Sequence, residues 1–474
     1  MLLSSILSIW IKLHSPIVRR GITTSIILLF GLLQSPAHAS NVNEWKISSR
    51  NFATDTAGYL YPDSVLPGTK VSAYITCPSG NFSLTAYRMG SYSNDSQGFA
   101  YWKSEELPCL KQKKLSIDPV TGKVFADWVS NAAIPTNDLY PGFYLIKIES
   151  QLGHAAFMNL TVRSEDVTGS VVIVIPTMTN AAYNRWGGPS AYRGKKGFED
   201  RARVLSMDRP NSLGFGSGKY LNYVHPLVVE AESAGISTAY VTDVDLASDP
   251  QSISGASAII FGGHDEYWTL QERNTVIKAR KLGTNTIFFG ANTAYWRVRL
   301  SPSTLGENRE VEIYKSAKSD PVKGKATIRF RDLGFPESEL TGQEYNCFPA
   351  NGNFVVTVPD SFIYADTKVG AGSNFKGIIG PEVDHFVGTG KSFIASKVLS
   401  RSPVVCGQKT ESTSTVTYSI TDSGAGSISI GSMKWVERGL TTAVSDTTRT
   451  FVKQVTRNIL VASSLGPLGV NYPI

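Results

Sequence analysis

Five consecutive apolar residues, Val171 to Ile175, constrain this chain more than any other segment. A strand that is apolar on both faces needs cover on both faces, as a buried strand of a parallel sheet has. The pattern then repeats. Val224 to Ala234 reads as a helix closed by Gly235, Ser237 to Thr242 as a strand, and Ala256 to Phe261 as another buried strand. Thr269 with Glu272 three residues on makes a capping box for a helix running to Lys281, and Gly283 ends it. Thr286 to Phe289 is the next strand. This alternation predicts an α/β domain over residues 167–474, a parallel sheet with helices on both faces.

Upstream the rhythm is different. Between residues 42 and 166, short alternating strands such as Lys70 to Ile75, Asn81 to Arg88 and Gly142 to Ile148 are broken by turn residues. That is how an immunoglobulin-like β-sandwich reads. It shows no catalytic constellation, and packing or recognition is its expected role.

Residues 1–39 hold Lys12, Arg19 and Arg20, no acid, an apolar run from Ile22 to Leu33, and then Ala37-His38-Ala39. This is the layout of a cleaved signal peptide, too short in its apolar run to span a bilayer comfortably. The arginine pair also allows the twin-arginine route. The expected location is periplasmic or secreted, with no stable membrane anchor. Removal of the leader lowers the formal net charge from +7 to +4. What remains is spread out, with no basic run, so nucleic acid is an unsuitable partner. Oligomerisation and the need for a small partner subunit are left open. All four cysteines, Cys77, Cys109, Cys347 and Cys406, follow the leader, and an oxidising compartment predicts two disulfides. Pairing Cys77 with Cys109 and Cys347 with Cys406 keeps each bridge inside one domain.

Ligands of α/β sheets gather beyond the carboxyl ends of the strands. There the unusual residues lie. After Ile175 comes the segment Asn180 to Tyr192, with Tyr183 and Tyr192; after Phe261 comes Gly262-Gly263-His264-Asp265-Glu266-Tyr267-Trp268; after Phe289 comes Gly290-Ala291-Asn292-Thr293. Standard schemes fail one by one. Ser217 in Gly214-Phe215-Gly216-Ser217-Gly218 follows no buried strand, so no nucleophile elbow forms. The cysteines look structural, the dinucleotide-binding turn is missing, and only four histidines follow the leader. A metal or acid–base site built from Glu266, His264 and tyrosine oxygens survives.

Thr179 to Gly188, Met207-Asp208-Arg209-Pro210, Gly263-His264-Asp265-Glu266-Tyr267-Trp268, Phe289-Gly290-Ala291-Asn292-Thr293 and Tyr314-Lys315 resemble the N,N-dimethylformamidase large (beta) subunit family. Tyr87-Arg88-Met89-Gly90 is similar to that family's N-terminal domain. The resemblance implies a glutamine-amidotransferase-like α/β domain without that fold's cysteine nucleophile. It also implies a single iron held by two tyrosines and a glutamate, which fall here on Tyr183, Tyr192 and Glu266. The short spacing from Tyr183 to Tyr192 departs from the enzymes, so Tyr220 or Tyr223 could stand in for Tyr192. His264, Asn292, Lys315 and Glu382 match the neighbouring active-site positions. Hard anionic oxygen donors suit ferric iron (Fe3+). The function so implied is a metal-dependent hydrolase of a small amide. The alternative is a non-catalytic exported protein that binds envelope glycan through a degenerate site.

Overall fold

The computed structural model describes residues 43–408 and 410–474, so the leader expected over residues 1–39 lies outside the described residues. The Val171–Ile175 strand sits inside a nine-stranded sheet. Its order is 238–242, 171–175, 258–263, 285–290, 426–429, 410–420, 395–406, 350–355 and 374–379. Side chains of the 171–175 strand alternate between two cores. Val171, Ile173 and Ile175 share one with Leu227 and Val228 of the His225–Ser233 helix and with Val452, Val455 and Ile459 of the Asp446–Ser464 helix. Val172 and Val174 share the other with Leu246, Ile259 and Val276. Each such side chain, fully buried, contributes ~1.5–3 kcal/mol, which is why five in a row demand two covered faces. The Leu270–Lys281 helix starts at the expected capping box: Glu272 N donates to Thr269 Oγ1 at 2.9 Å and Thr269 N to Glu272 Oε2 at 3.3 Å.

The expected fold class needs correction. The first five strands of the sheet pair parallel, but the remaining four joints, from the 426–429 strand outward, are antiparallel. Further two-, three-, four- and six-stranded sheets are also wholly or mainly antiparallel. The chain is therefore a β-rich protein of mixed sheets and not a glutamine-amidotransferase-like α/β fold with a parallel sheet. The physical reason lies in the long hairpin of Ala395–Cys406 and Thr410–Ile420. Between Leu399 and Cys406 buried and exposed residues mostly alternate, so one face meets water there, and antiparallel ladders tolerate that where parallel ones do not.

Strands up to Val162 build their own sheets, one of three strands, one of six and one of two, apart from the nine-stranded sheet. Their core nevertheless runs into the sheet that follows. Phe143 stacks on Tyr220 with centroids 3.6 Å apart, Arg88 pairs with Glu232 at 2.7 Å, and Arg309 bridges Asp63 and Asp208. The two disulfides form as expected, Cys77–Cys109 and Cys347–Cys406. Among the described residues no helix is long and apolar enough to cross a membrane.

Candidate active site

Three parallel strands end side by side at one edge, and each hands over to a loop that turns sharply. Gly263 has φ +52°, and a Cβ there would stand 2.3 Å from Tyr223 Cδ1. At Gly290 a Cβ would stand 2.1 Å from the carbonyl oxygen of Gly263. Only glycine permits the neighbouring strand ends to approach this closely. Thr179, on the short helix Thr177–Tyr183, clips the middle loop to the first. Its hydroxyl accepts from Glu266 N (3.1 Å) and Tyr267 N (3.3 Å) and donates to Asp265 Oδ1 (3.2 Å).

Tyr183 ends that helix, and the chain doubles back so that Ala191 N donates to Ala182 O at 3.0 Å. This fold-back closes the short spacing and stacks Tyr192 on Tyr183, centroids 4.7 Å apart. Both phenols meet Glu266. Tyr183 OH donates to Oε2 at 2.7 Å, and Tyr192 OH lies 2.7 and 2.6 Å from Oε1 and Oε2. The phenol oxygens are 3.0 Å apart. His264 Nε2 stands 2.9 Å from Tyr183 OH and 3.3 Å from Glu266 Oε2. Oxygens bound at about 2 Å to a common ion stand about 3 Å apart, so this donor set fits a single hard cation.

Burial and charge set the protonation of these groups. Burial raises the phenol pKa of Tyr183 and Tyr192 well above the ordinary value, and the Glu266 charge raises both further. Burial also pushes the Glu266 carboxyl up, but the His264 hydrogen bond and charge, the Lys315 ammonium and the Tyr192 phenol outweigh it. The net result is about 2. The phenols thus hold their protons against an ionised carboxylate, and only a strong cation would displace them. Among the described residues no group of three His, Cys, Asp or Glu side chains could hold a metal, so a metal here must draw on tyrosine oxygens.

The other sequence-derived residues fall around this centre. Lys315, at φ +56°, donates through Nζ to Tyr267 OH at 2.7 Å and lies 3.8 Å over the Tyr192 ring; burial lowers its pKa to about 8. Asn292 Nδ2 donates to Glu382 Oε2 at 2.6 Å, and burial raises the Glu382 carboxyl. The alternatives to Tyr192 do not join the centre. Tyr220 is buried against Phe143 with its hydroxyl unpartnered, and Tyr223 packs 6.2 Å from the His264 ring without bonding to Glu266.

Three contributors escaped sequence reasoning. Tyr267 OH lies 2.5 Å from Tyr192 OH, a third phenol in the cluster. Lys219 Nζ stands 3.5 Å over the Tyr183 ring, and burial lowers its pKa. Thr179 is the clip already described. Tyr267 was visible beside Glu266; nothing local marks Lys219, whose Gly-Ser-Gly-Lys turn follows no buried strand.

A protein-family model described as "N,N-dimethylformamidase beta subunit-like, C-terminal" matches residues 83–446. No curated protein sequence matches. Among solved structures the chain is similar to a cycloisomaltooligosaccharide glucanotransferase of Paenibacillus sp. in complex with cycloisomaltoheptaose. Identity is 10%, the TM-score is 0.17, and the match covers 51% of this chain and 28% of that one. A TM-score so low carries no argument. The family match spans most of the strands before Val162, all three strand-end loops and Glu382, well over half of the sequence. On that evidence the chain belongs to the N,N-dimethylformamidase beta subunit-like family.

Proposed function

We propose that this chain is an exported amidohydrolase that cleaves a non-peptide C–N bond of a small amide, using one ferric ion held by Tyr183, Tyr192 and Glu266. Membership of the family supports hydrolysis of amide bonds at family level. The observation that carries the finer reading is the meeting of both phenol oxygens with the Glu266 carboxylate at 2.6–2.7 Å. An iron there would polarise the amide carbonyl and acidify a water.

The chain's own groups supply the rest. Glu266 balances the positive charge, and His264 Nε2, bonded to Tyr183 OH, holds that phenol in place. Lys315 Nζ anchors the Tyr267 phenol beside Tyr192. Glu382, whose carboxyl pKa burial raises, would act as the acid that gives a proton to the departing nitrogen. Asn292, bonded to Glu382, orients the amide. The leader pattern and the two disulfides support a periplasmic or secreted site of action.

The test is elemental analysis and visible absorption of protein expressed with added iron, beside Tyr183→Phe and Glu266→Ala. The wild type should carry about one iron and a purple-brown ferric-phenolate colour, and both variants should lose them. Colourless, iron-free wild type that leaves a panel of amides intact would remove the proposal.

A further inference from the structure

Arg209 is a buried cation without a carboxylate partner among the described residues. Its side chain is only 3% exposed and lies between the strands before Val162 and the Thr177–Tyr183 helix. A guanidinium has five N–H donors. Here Nη1 donates to Trp186 O at 3.0 Å and Nη2 to Asn184 O at 3.1 Å, while Nε is buried with no partner. Arg309, which bonds the adjacent Asp208, shows the ordinary solution: it pairs with both Asp63 and Asp208. Those two carboxylates are thereby engaged. Burial alone lowers the Arg209 pKa, to about 10, with no neighbouring charge acting on it. Buried charges are ordinarily paired, and two neutral carbonyls do not balance this one.

A cavity of about 90 Å³ is lined by Arg209 together with Asp63, Asn159, Thr161, Asn180 and Ser206. Tyr183, Tyr192, Tyr267 and Glu266 do not line it, so it is separate from the phenol cluster. Asn159 Oδ1 is a second buried polar atom without a partner there, because Nδ2 is committed to Ser217 O at 3.1 Å. One water needs roughly 10–15 Å³ of such space, so the cavity holds several water-sized groups. A hollow of about 10 Å³ walled by Phe52, Phe157 and Phe215 shares Gly58, Asn211 and Gly216 with it. We propose that this cavity binds a small carboxylate, whose oxygens accept from the free N–H donors of Arg209 and whose short alkyl end fills the aromatic hollow. Charge-assisted hydrogen bonds of this kind are the strong ones, and burial strengthens them further. Asn159 Oδ1 accepts from a water held beside the anion. Asp63 would repel an anion if it were unpaired, but Arg309 Nη1 holds its Oδ1 at 2.7 Å. A halide would balance the charge and leave the aromatic hollow unfilled, which favours the carboxylate. The inference does not depend on the amidohydrolase reading.

The experiment titrates acetate into the full chain in a HEPES buffer free of chloride and other carboxylates, followed by saturation-transfer NMR. Binding should saturate at millimolar acetate, and Arg209→Gln should weaken it by roughly tenfold or more. Glu266→Ala should bind acetate as the wild type does, because the cavity lies apart from Glu266. Acetate that never saturates, or that binds Arg209→Gln as well as wild type, overturns the proposal. Loss of binding in Glu266→Ala places the acetate on the phenol cluster and overturns it too. Chloride that binds as tightly as acetate and displaces it makes this a halide site and rejects the carboxylate. Should either variant fail to fold, a crystal structure of the wild type in millimolar acetate decides. Acetate density within hydrogen-bond distance of Arg209 Nε upholds the site; density that appears only at molar acetate is an adventitious additive only, and rejects it.

Discussion

Replacing Thr179 by valine keeps the shape of a fully buried side chain and deletes one hydroxyl. That hydroxyl accepts from the backbone N–H groups of Glu266 and Tyr267 and donates to Asp265. Valine leaves two buried donors and one buried acceptor without this partner. At ~1–3 kcal/mol for each unsatisfied group, and with the two N–H groups sharing one oxygen, the expected loss is about 2–4 kcal/mol. Serine is the control: it keeps the hydroxyl and loses one methyl, for about 1 kcal/mol. Urea unfolding followed by intrinsic fluorescence would measure both variants, with wild-type m-values as the check that only stability has changed. Because the same loop carries His264 and Glu266, the valine variant should also bind iron more weakly than the serine variant. A valine variant as stable as wild type, or a serine variant as damaged as valine, refutes the clip.

Asp384 gives a pH signature. Burial raises its pKa from 3.8 to about 8, so the folded state keeps a proton that the unfolded state releases. Its contribution is complete below pH ~4 and declines by ~1.4 kcal/mol per pH unit as pH rises toward 8. Asp384→Asn should therefore gain stability relative to wild type across that window; a pH-independent difference between the two would contradict the assignment. The Cys347–Cys406 bridge closes a sequence separation of 59 residues. Changing both cysteines to serine should cost ~2–4 kcal/mol in oxidising buffer, and comparison with wild type in strong reductant should abolish the difference. A difference that persists in reductant would mean that the serines, and not the missing bond, are responsible.

Much of the site was readable because its signals are local. The run from Val171 to Ile175, the Thr269–Glu272 box and the glycines that end the strands each encode their geometry in neighbouring residues. Glu266, Tyr183 and Asn292 follow as the polar residues just beyond those strand ends. The outer half of the large sheet was not readable in this way. Thr410 to Ile420 is mostly Ser and Thr, without an apolar run, and its pairing with Ala395–Cys406 gives it the other half of a ladder that one segment cannot announce. Lys219 escaped for a similar reason: it acts through the ring face of Tyr183, which the chain order separates from it by a full loop.

By itself the sequence determined which stretches must be buried on two faces, where helices begin, and that three loops rich in oxygen donors leave one region of the chain. Only the tertiary structure decided that the sheet is mixed, that Tyr192 closes on Tyr183, and that Tyr267 and Lys219 join them. The reason is that periodicity and capping depend on residues a few positions apart. By contrast, sub-3 Å hydrogen bonds to Glu266 and the burial that shifts these pKa values depend on residues 74 and 83 positions away in the chain.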